Sequence, residues 1–191
     1  YQTDDKLIFE VYTSTSGIFK LKKDIRKERS IFDILDNQIV SEKYTFSRQK
    51  KDGYEEYLTK ISRDSSKNSS TLIEKNDKKE TIDHPYIENV QDRLSVQLDY
   101  KNKLKIGQYA QVYTVLDKGR VREYTYSVES LDTINTIFGE TKCIVVRRVI
   151  KDNKRSTLTW YAIDEGFIPV IIKQYREKNL QFTAELDNTE D

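Results

Sequence analysis

The sequence predicts a mainly β fold: an antiparallel β-barrel or strongly curved sheet with one packed helix. Three observations carry this. The 191 residues include 13 Tyr and 7 Phe, and aromatic and β-branched side chains suit the half-buried pleat of a sheet. Turn signals recur roughly every 10 to 15 residues, as in an antiparallel meander, sandwich or barrel. The clearest helical spacing is confined to one segment, "IENVQDRLSVQLDYKNKL". The length suits a single β-rich domain over residues 1–191.

In chain order, "KLIFEVYTSTSG" alternates, with Leu7, Phe9 and Val11 on one side. Gly17 marks a turn or bulge. "GIFKLKKDI" continues extended. "QIVSEKYTFSRQ" and "GYEEYLTKISRD" flank a turn at Lys50–Gly53, and "SRDSSKNSS" is a loop by composition. "TLIEKNDKKETI" reads as a hairpin turning at Asn76–Asp77, residue types that tolerate positive φ. In "IENVQDRLSVQLDYKNKL", Ile87, Val90, Leu94 and Leu98 follow helical spacing, while Leu94, Val96, Leu98 and Tyr100 also alternate with period two. Asp92 suits an N-cap, and Lys101, Lys103 and Lys105 suit the negative end of a helix. Beyond Gly107, strand pairs flank turns at Asp117–Gly119, Lys151–Lys154 and Glu177–Asn179. "SLDTINTIFGE" could hold a short helical turn, although its Thr and Ile residues disfavour one.

The totals exclude several functions. A net charge of +1, from 33 basic and 32 acidic residues, argues against a dedicated nucleic-acid binder, which carries a basic excess. The basic run "KLKKDIRKER" (Lys20–Arg29) is interrupted by Asp24 and Glu28, so it reads as a solvated strand face or a partner surface. The single Cys143 permits no intrachain disulfide and suits a buried position in "CIVVRRVI". The single His84 lies in the turn-like "DHPY", so a Cys–His nucleophile is disfavoured. One His and one Cys disfavour zinc, and the six glycines are isolated rather than gathered in a phosphate loop. No metal or cofactor is expected. No apolar run approaches the ~18 residues that cross a membrane as a helix. The absence of Met leads to the expectation that a targeting segment or tag has been removed.

The candidate residues centre on "TLTWYAIDEGFIPVII". Strand alternation puts Leu158, Trp160 and Ala162 on one face, and Thr157, Thr159, Tyr161 and Ile163 on the other. An inward Trp160 needs a partner for its N–H. Asp164, Glu165 and Gly166 form a turn, and Pro169 implies an edge strand or a bulge. Tyr109 and Tyr113 share one strand parity, as do Tyr124 and Tyr126 on the next strand. These rings either pack across strands or line a cavity for an apolar ligand. Asp92 and Ser95 read as a helix start before they read as acid–base chemistry.

The runs "DRLSVQLDY", "LKIGQYAQVYTVLDKG", "FGETKCIVVRRV" and "STLTWYAIDEGFIPVII", in that order, resemble domain of unknown function family 3108. Asp92, Leu94 and Ser95 match its Asp-x-Leu-Ser element, and Gly107, Gly139, Trp160, Asp164 and Pro169 fall at its other marked positions. The upstream "ERSIFDILDNQIVSEKYTFSR" is similar to its early strands. The resemblance implies an exported, β-rich protein of the bacterial cell envelope or periplasm, with a helix near Asp92–Lys103. It supplies no catalytic residues. The resulting expectation is a non-enzymatic protein holding an apolar or lipid-like ligand in a β-barrel concavity, with Trp160, Tyr161, Tyr109, Tyr113, Tyr124 and Tyr126 as ligand-binding candidates. Asp92, Ser95, Gly107, Gly139, Asp164 and Pro169 are the structural ones. The alternatives are an adaptor between envelope proteins, through an exposed edge or Lys20–Arg29, and a cell-wall hydrolase acting through carboxylates.

Overall fold

The computed structural model describes residues 2–3, 6–15, 24–36, 38–76 and 78–187. The fold is mainly β, with two antiparallel sheets and one helix. The first sheet runs in sequence order through β1 (Gln2–Thr3), β2 (Lys6–Thr13), β3 (Asp24–Leu35), β4 (Gln38–Lys50), β5 (Gly53–Lys60), β6 (Ser69–Lys75) and β7 (Lys78–His84). Helix α1 follows at Ser95–Lys105. The second sheet is a reversed meander of β8 (Ala110–Asp117), β9 (Arg120–Thr136), β10 (Gly139–Ile150), β11 (Arg155–Ala162), β12 (Ile168–Arg176) and β13 (Asn179–Glu185). Neither strand order closes on itself, so the strands form two open antiparallel sheets rather than a closed barrel. Gly17 and Lys20–Lys23, two of the positions singled out above, lie outside the described residues, as does Asp77.

The chain divides into two compact units, residues 1–99 with 114–122, and residues 100–113 with 123–191. In the first, Tyr44, Phe46, Tyr57 and Leu94 form a buried cluster against Phe9, Val11 and Ile73. A second cluster joins Ile61, Val90 and Leu116. In the second unit, Cys143, Val145, Trp160, Ala162 and Val170 pack together. Cys143 is fully buried, and burial pushes its thiol above the usual range.

The helix ends where local chemistry ends it. Gly107 has φ +76°. Its N–H donates to Leu104 O at 3.0 Å, and the N–H of Gln108 donates to Lys103 O at 2.9 Å. This bond pair satisfies the last carbonyls and needs a left-handed residue, which glycine adopts without penalty. Lys103 and Lys105 occupy the last turn, beside the negative helix end.

Two expectations are corrected. "SLDTINTIFGE" holds no helical turn: β9 runs to Thr136 and pairs with β10 through Gly139↔Thr136. Its Thr and Ile residues favour the strand, and cross-strand pairing decides the matter. Tyr109 lies before β8 and is 52% exposed, so it is not on the Tyr113 strand face. Of the two readings of Pro169, the bulge holds: register shifts between Trp160 and Tyr161, which pair with Ile171 and Pro169.

The β8–β9 hairpin turns through Lys118 (φ 52°) and Gly119 (φ +69°), the pair of positive angles that a two-residue hairpin of matching twist demands. A Cβ on Gly119 would stand 2.9 Å from Ile82 Cδ1 and 3.2 Å from Ile73 Cδ1. Gly119→Ala is therefore expected to lower stability by about 2 kcal/mol, from left-handed strain plus displacement of the two isoleucines. Urea unfolding checks this, and a loss below about 0.5 kcal/mol would contradict the close approach.

Candidate functional site

The Asp92 carboxylate accepts four hydrogen bonds in the first unit. It is fully buried. Its Oδ1 accepts from the backbone N–H of Leu94 (2.7 Å) and Ser95 (2.9 Å). Ser95 Oγ accepts from the N–H of Asp92 at 2.9 Å. That is a reciprocal cap, with Ser95 in the place more often held by Glu or Gln. Oδ2 accepts from Ser30 Oγ at 2.6 Å and from Ser41 Oγ at 2.5 Å. These serines sit on β3 and β4 beside a register shift between Ile31 and Phe32. Next to them, Gln91 Nε2 donates to Ile39 O at 2.6 Å. Burial raises the Asp92 carboxyl above its ordinary value, against the pull of these donors. The cap was legible in "DRLS"; Ser30 and Ser41, 62 and 51 residues away, carry no local signal.

A chain of ion pairs runs beside this anchor. Asp24 receives Arg48 Nη2 at 2.6 Å and Arg26 Nη2 at 2.8 Å. Arg48 also reaches Glu55 at 3.8 Å, and Glu55 meets Lys118 at 3.4 Å. Arg93 lies between Glu28 (3.9 Å) and Asp117 (3.6 Å), and Arg122 meets Asp117 at 3.5 Å. Tyr44 donates to Glu28 at 2.5 Å. The chain crosses aromatic rings: Lys118 Nζ is 4.4 Å from the Phe46 centroid and 4.8 Å from that of Tyr57. Burial pushes the Lys118 amine down, with the Arg93 charge adding to it. The Arg48 guanidinium holds the Asp24 carboxyl far below its usual range. These carboxylates are thus held as partners of cations. The run containing Asp24 to Arg29 is therefore two-faced: strand alternation sends Asp24, Arg26 and Glu28 to this network and Lys27 and Arg29 to the opposite face.

That opposite face carries an open groove of about 510 Å³ across β2, β3 and β4. Glu10, Tyr12, Lys27, Arg29, Thr45 and Ser47 are among its lining residues. Arg29 Nε stands 3.4 Å from Glu10 Oε1. The Tyr12 ring is 60% exposed, with Lys27 Nζ 6.0 Å from its centroid. None of these was singled out as an individual binding residue in the sequence. The signal that could have found them is an aromatic in a strand position otherwise charged and solvent-facing.

In the second unit, Tyr124 and Tyr126 stay on one face of β9, opposite Ile150 and Arg148, while Tyr109 lies outside β8. Tyr126 stacks on Tyr100 at 4.5 Å and meets Tyr113 edge-on at 5.7 Å. Tyr100, on α1, was not among the candidates; its hydroxyl donates to the carbonyl of Tyr109 at 2.7 Å. Tyr161 is buried, and burial raises its phenol far above the ordinary value, with Tyr126 and Tyr100 adding to the shift. Tyr124 is buried beneath the Arg148 guanidinium, 4.9 Å from its ring. Trp160 points to the other face, as alternation requires. Its Nε1–H donates to Asp132 Oδ2 at 2.8 Å, and Lys173 Nζ lies 4.9 Å from its ring. The rings are filled against one another and against side chains of the same unit. Asp164, Glu165 and Gly166 are exposed in a turn closed by Phe167 N–H donating to Ala162 O at 2.8 Å. Among the described residues, no group of three His, Cys, Asp or Glu could hold a metal ion.

The Asp92–Ser95 cap, the Gly107 helix end, the Gly139 strand start, Trp160 and the Pro169 bulge thus fall in order along the fold. A family described as "Protein of unknown function (DUF3108)" matches residues 1–187. The chain belongs to the DUF3108 family. No curated protein and no solved structure matches it. In this DUF3108 chain the marked residues serve as caps, turns and core. No helix among the described residues is long and apolar enough to cross a membrane.

Proposed function

We propose that this DUF3108 protein is a non-enzymatic protein of the bacterial cell envelope that binds an amphiphilic, lipid-like molecule. The observation that supports the reading is the groove across β2, β3 and β4. Its volume of about 510 Å³ lies within the roughly 300–1,000 Å³ of small-molecule sites. It combines an exposed aromatic ring at Tyr12 with the Glu10–Arg29 ion pair and the Lys27 ammonium. An apolar chain lying on Tyr12 and a polar head among these charges would use both parts. The envelope location rests on the family resemblance alone. The ligand site in this reading is the groove, because the faces of Tyr126, Tyr161 and Trp160 are occupied by neighbouring side chains.

Native mass spectrometry of the protein, purified gently from an envelope fraction, tests this. The expected result is a discrete added mass, released on denaturation, extractable into organic solvent, and lost in Tyr12→Asp and Arg29→Glu. A clean mass with no adduct overturns the reading. An adduct retained in both variants, but lost in Tyr113→Ala, would return the ligand to the tyrosine face.

A further inference from the structure

Register sets the polar side chains of the groove in two rows. Tyr12 pairs with Lys27, Lys27 with Ser47, and Ser47 with Glu56. Glu10 pairs with Arg29, and Arg29 with Thr45. The register shift in β3 lies between Ile31 and Phe32, beyond both rows. Residues directly opposite one another in an antiparallel pair share a face, so all of these side chains stand on one side of the sheet. Lys27 and Arg29 are two residues apart on β3, which puts their Cα atoms roughly 7 Å apart with both side chains pointing the same way.

The charges are sorted by strand. Both cations are on β3, and the carboxylates Glu10 and Glu56 flank them on β2 and β5. Arg29 Nε faces Glu10 Oε1 at 3.4 Å, yet this nitrogen is buried and has no hydrogen-bond partner among the described residues. The pair is therefore a loose charge contact rather than a formed bond. Glu56 accepts the Tyr54 hydroxyl. Lys27 is exposed and takes part in no ion pair among the described residues; its ammonium stands 6.0 Å from the Tyr12 centroid. Two like charges on one face of one strand repel each other, and here only one of them has a carboxylate at ion-pair distance.

We propose that the groove holds an anionic, phosphate-type head group over β3, between Lys27 and Arg29, with the Thr45 and Ser47 hydroxyls donating to its oxygens and the apolar chain lying on Tyr12. The proposal rests on the reading of the groove as the ligand site and names the chemistry of the head. The guanidinium offers a planar fork of donors that matches phosphate oxygens, and the ammonium adds a point charge beside it. Arg29 exchanges its loose Glu10 contact for the head group. The carboxylates on β2 and β5 repel an anion displaced toward either side, which confines the head to β3.

Titration calorimetry of the intact chain tests the assignment with three probes: an alkyl phosphate, an alkyl glucoside of equal chain length, each below its micelle concentration, and inorganic phosphate. The alkyl phosphate is expected to bind about tenfold or more tighter than either of the others, from charge-assisted hydrogen bonds that the glucoside lacks and a chain that inorganic phosphate lacks. Added salt should narrow its lead over the glucoside. Lys27→Gln and Arg29→Gln should each remove most of that lead while leaving the thermal midpoint unchanged. Glu10→Gln should strengthen alkyl phosphate binding, because the carboxylate that competes for Arg29 is gone; weaker binding in Glu10→Gln would show that the ion pair only props the strands, and would overturn the proposal. Equal binding of the phosphate and the glucoside overturns the anionic head and leaves the amphiphile reading standing. Binding of neither overturns both. Inorganic phosphate binding as tightly as the alkyl phosphate supports the anion site and overturns the amphiphile. A preference for phosphate that survives both Lys27→Gln and Arg29→Gln overturns the placement on β3.

Discussion

Replacing Asp92 with alanine is expected to lower stability by about 3–5 kcal/mol. Loss of the cap accounts for roughly 1 kcal/mol. The remainder comes from Ser30 and Ser41, whose buried hydroxyls lose their shared acceptor at roughly 1–3 kcal/mol each, less what rotation of the hydroxyls recovers. Asp92→Asn preserves the shape and one acceptor oxygen, and so should cost less. Ser95→Ala removes one side of the cap and should cost about 1 kcal/mol. Urea unfolding of the three variants checks the order. A loss below about 1 kcal/mol in Asp92→Ala would show that Asp92 does not anchor α1 to β3 and β4.

The same residue predicts a pH dependence. Asp92 has its carboxyl raised in the folded state. Between the ordinary carboxylate value and that raised value, the folded chain holds a proton that the unfolded chain has released. Its contribution to stability is therefore greatest at acidic pH, falls as pH rises through that window and is constant above it. Asp92→Asn should remove this fall. Asp24, lowered by Arg48, acts in the opposite sense: its contribution is present above the ordinary carboxylate range and lost as pH falls. The measurement is accordingly the difference between wild type and Asp92→Asn across pH, rather than the shape of either curve.

In the second unit, Tyr161→Ala should lower stability by about 3–5 kcal/mol, the range for emptying a large aromatic site in a packed core. Tyr161 is buried on the sheet face shared with Tyr126. Tyr109→Ala, at a position 52% exposed, should cost less than about 0.5 kcal/mol. Trp160 is the only Trp and is bonded to Asp132, so its emission reports unfolding of this unit. Equal losses in the two variants would contradict the division of the tyrosines seen in the structure. A Tyr161→Ala protein as stable as wild type would point to a loosely packed interior able to admit a ligand.

These cases show how far local pattern reaches. Asp-x-Leu-Ser located the helix start because a cap is made by residues two and three apart. Gly107 ends the helix for the same reason, and Asn76 and Gly119 are residue types that accept the positive φ of their turns, whereas Lys118 and Glu177 take it on from the turn geometry. Alternation placed Trp160 and Tyr161 on opposite faces because the period of a strand is fixed by covalent geometry. Where local preferences conflicted, the sequence was ambiguous. In "TINTIFG", Thr and Ile weakened a helical turn without excluding it, and pairing with β10 removed it.

Contacts distant along the chain were not legible. Ser30 and Ser41 are ordinary strand serines until the register of β3 and β4 sets them on the Asp92 carboxylate. The ion pairs from Asp24 to Arg122 join strands far apart in sequence, so the run containing Asp24 to Arg29 appeared as one basic face rather than two. Tyr100 was read as part of a helix, and only its stacking on Tyr126 made it a core residue. The sequence by itself determined the β class, the helix start at Asp92, most of the turns and the membership of DUF3108. The tertiary structure decided which charges pair, which tyrosines are buried and where a groove is left open. The division has a physical cause: caps, turns and alternation are settled within a few residues of backbone, whereas strand register brings together groups whose separation along the chain carries no trace of their contact.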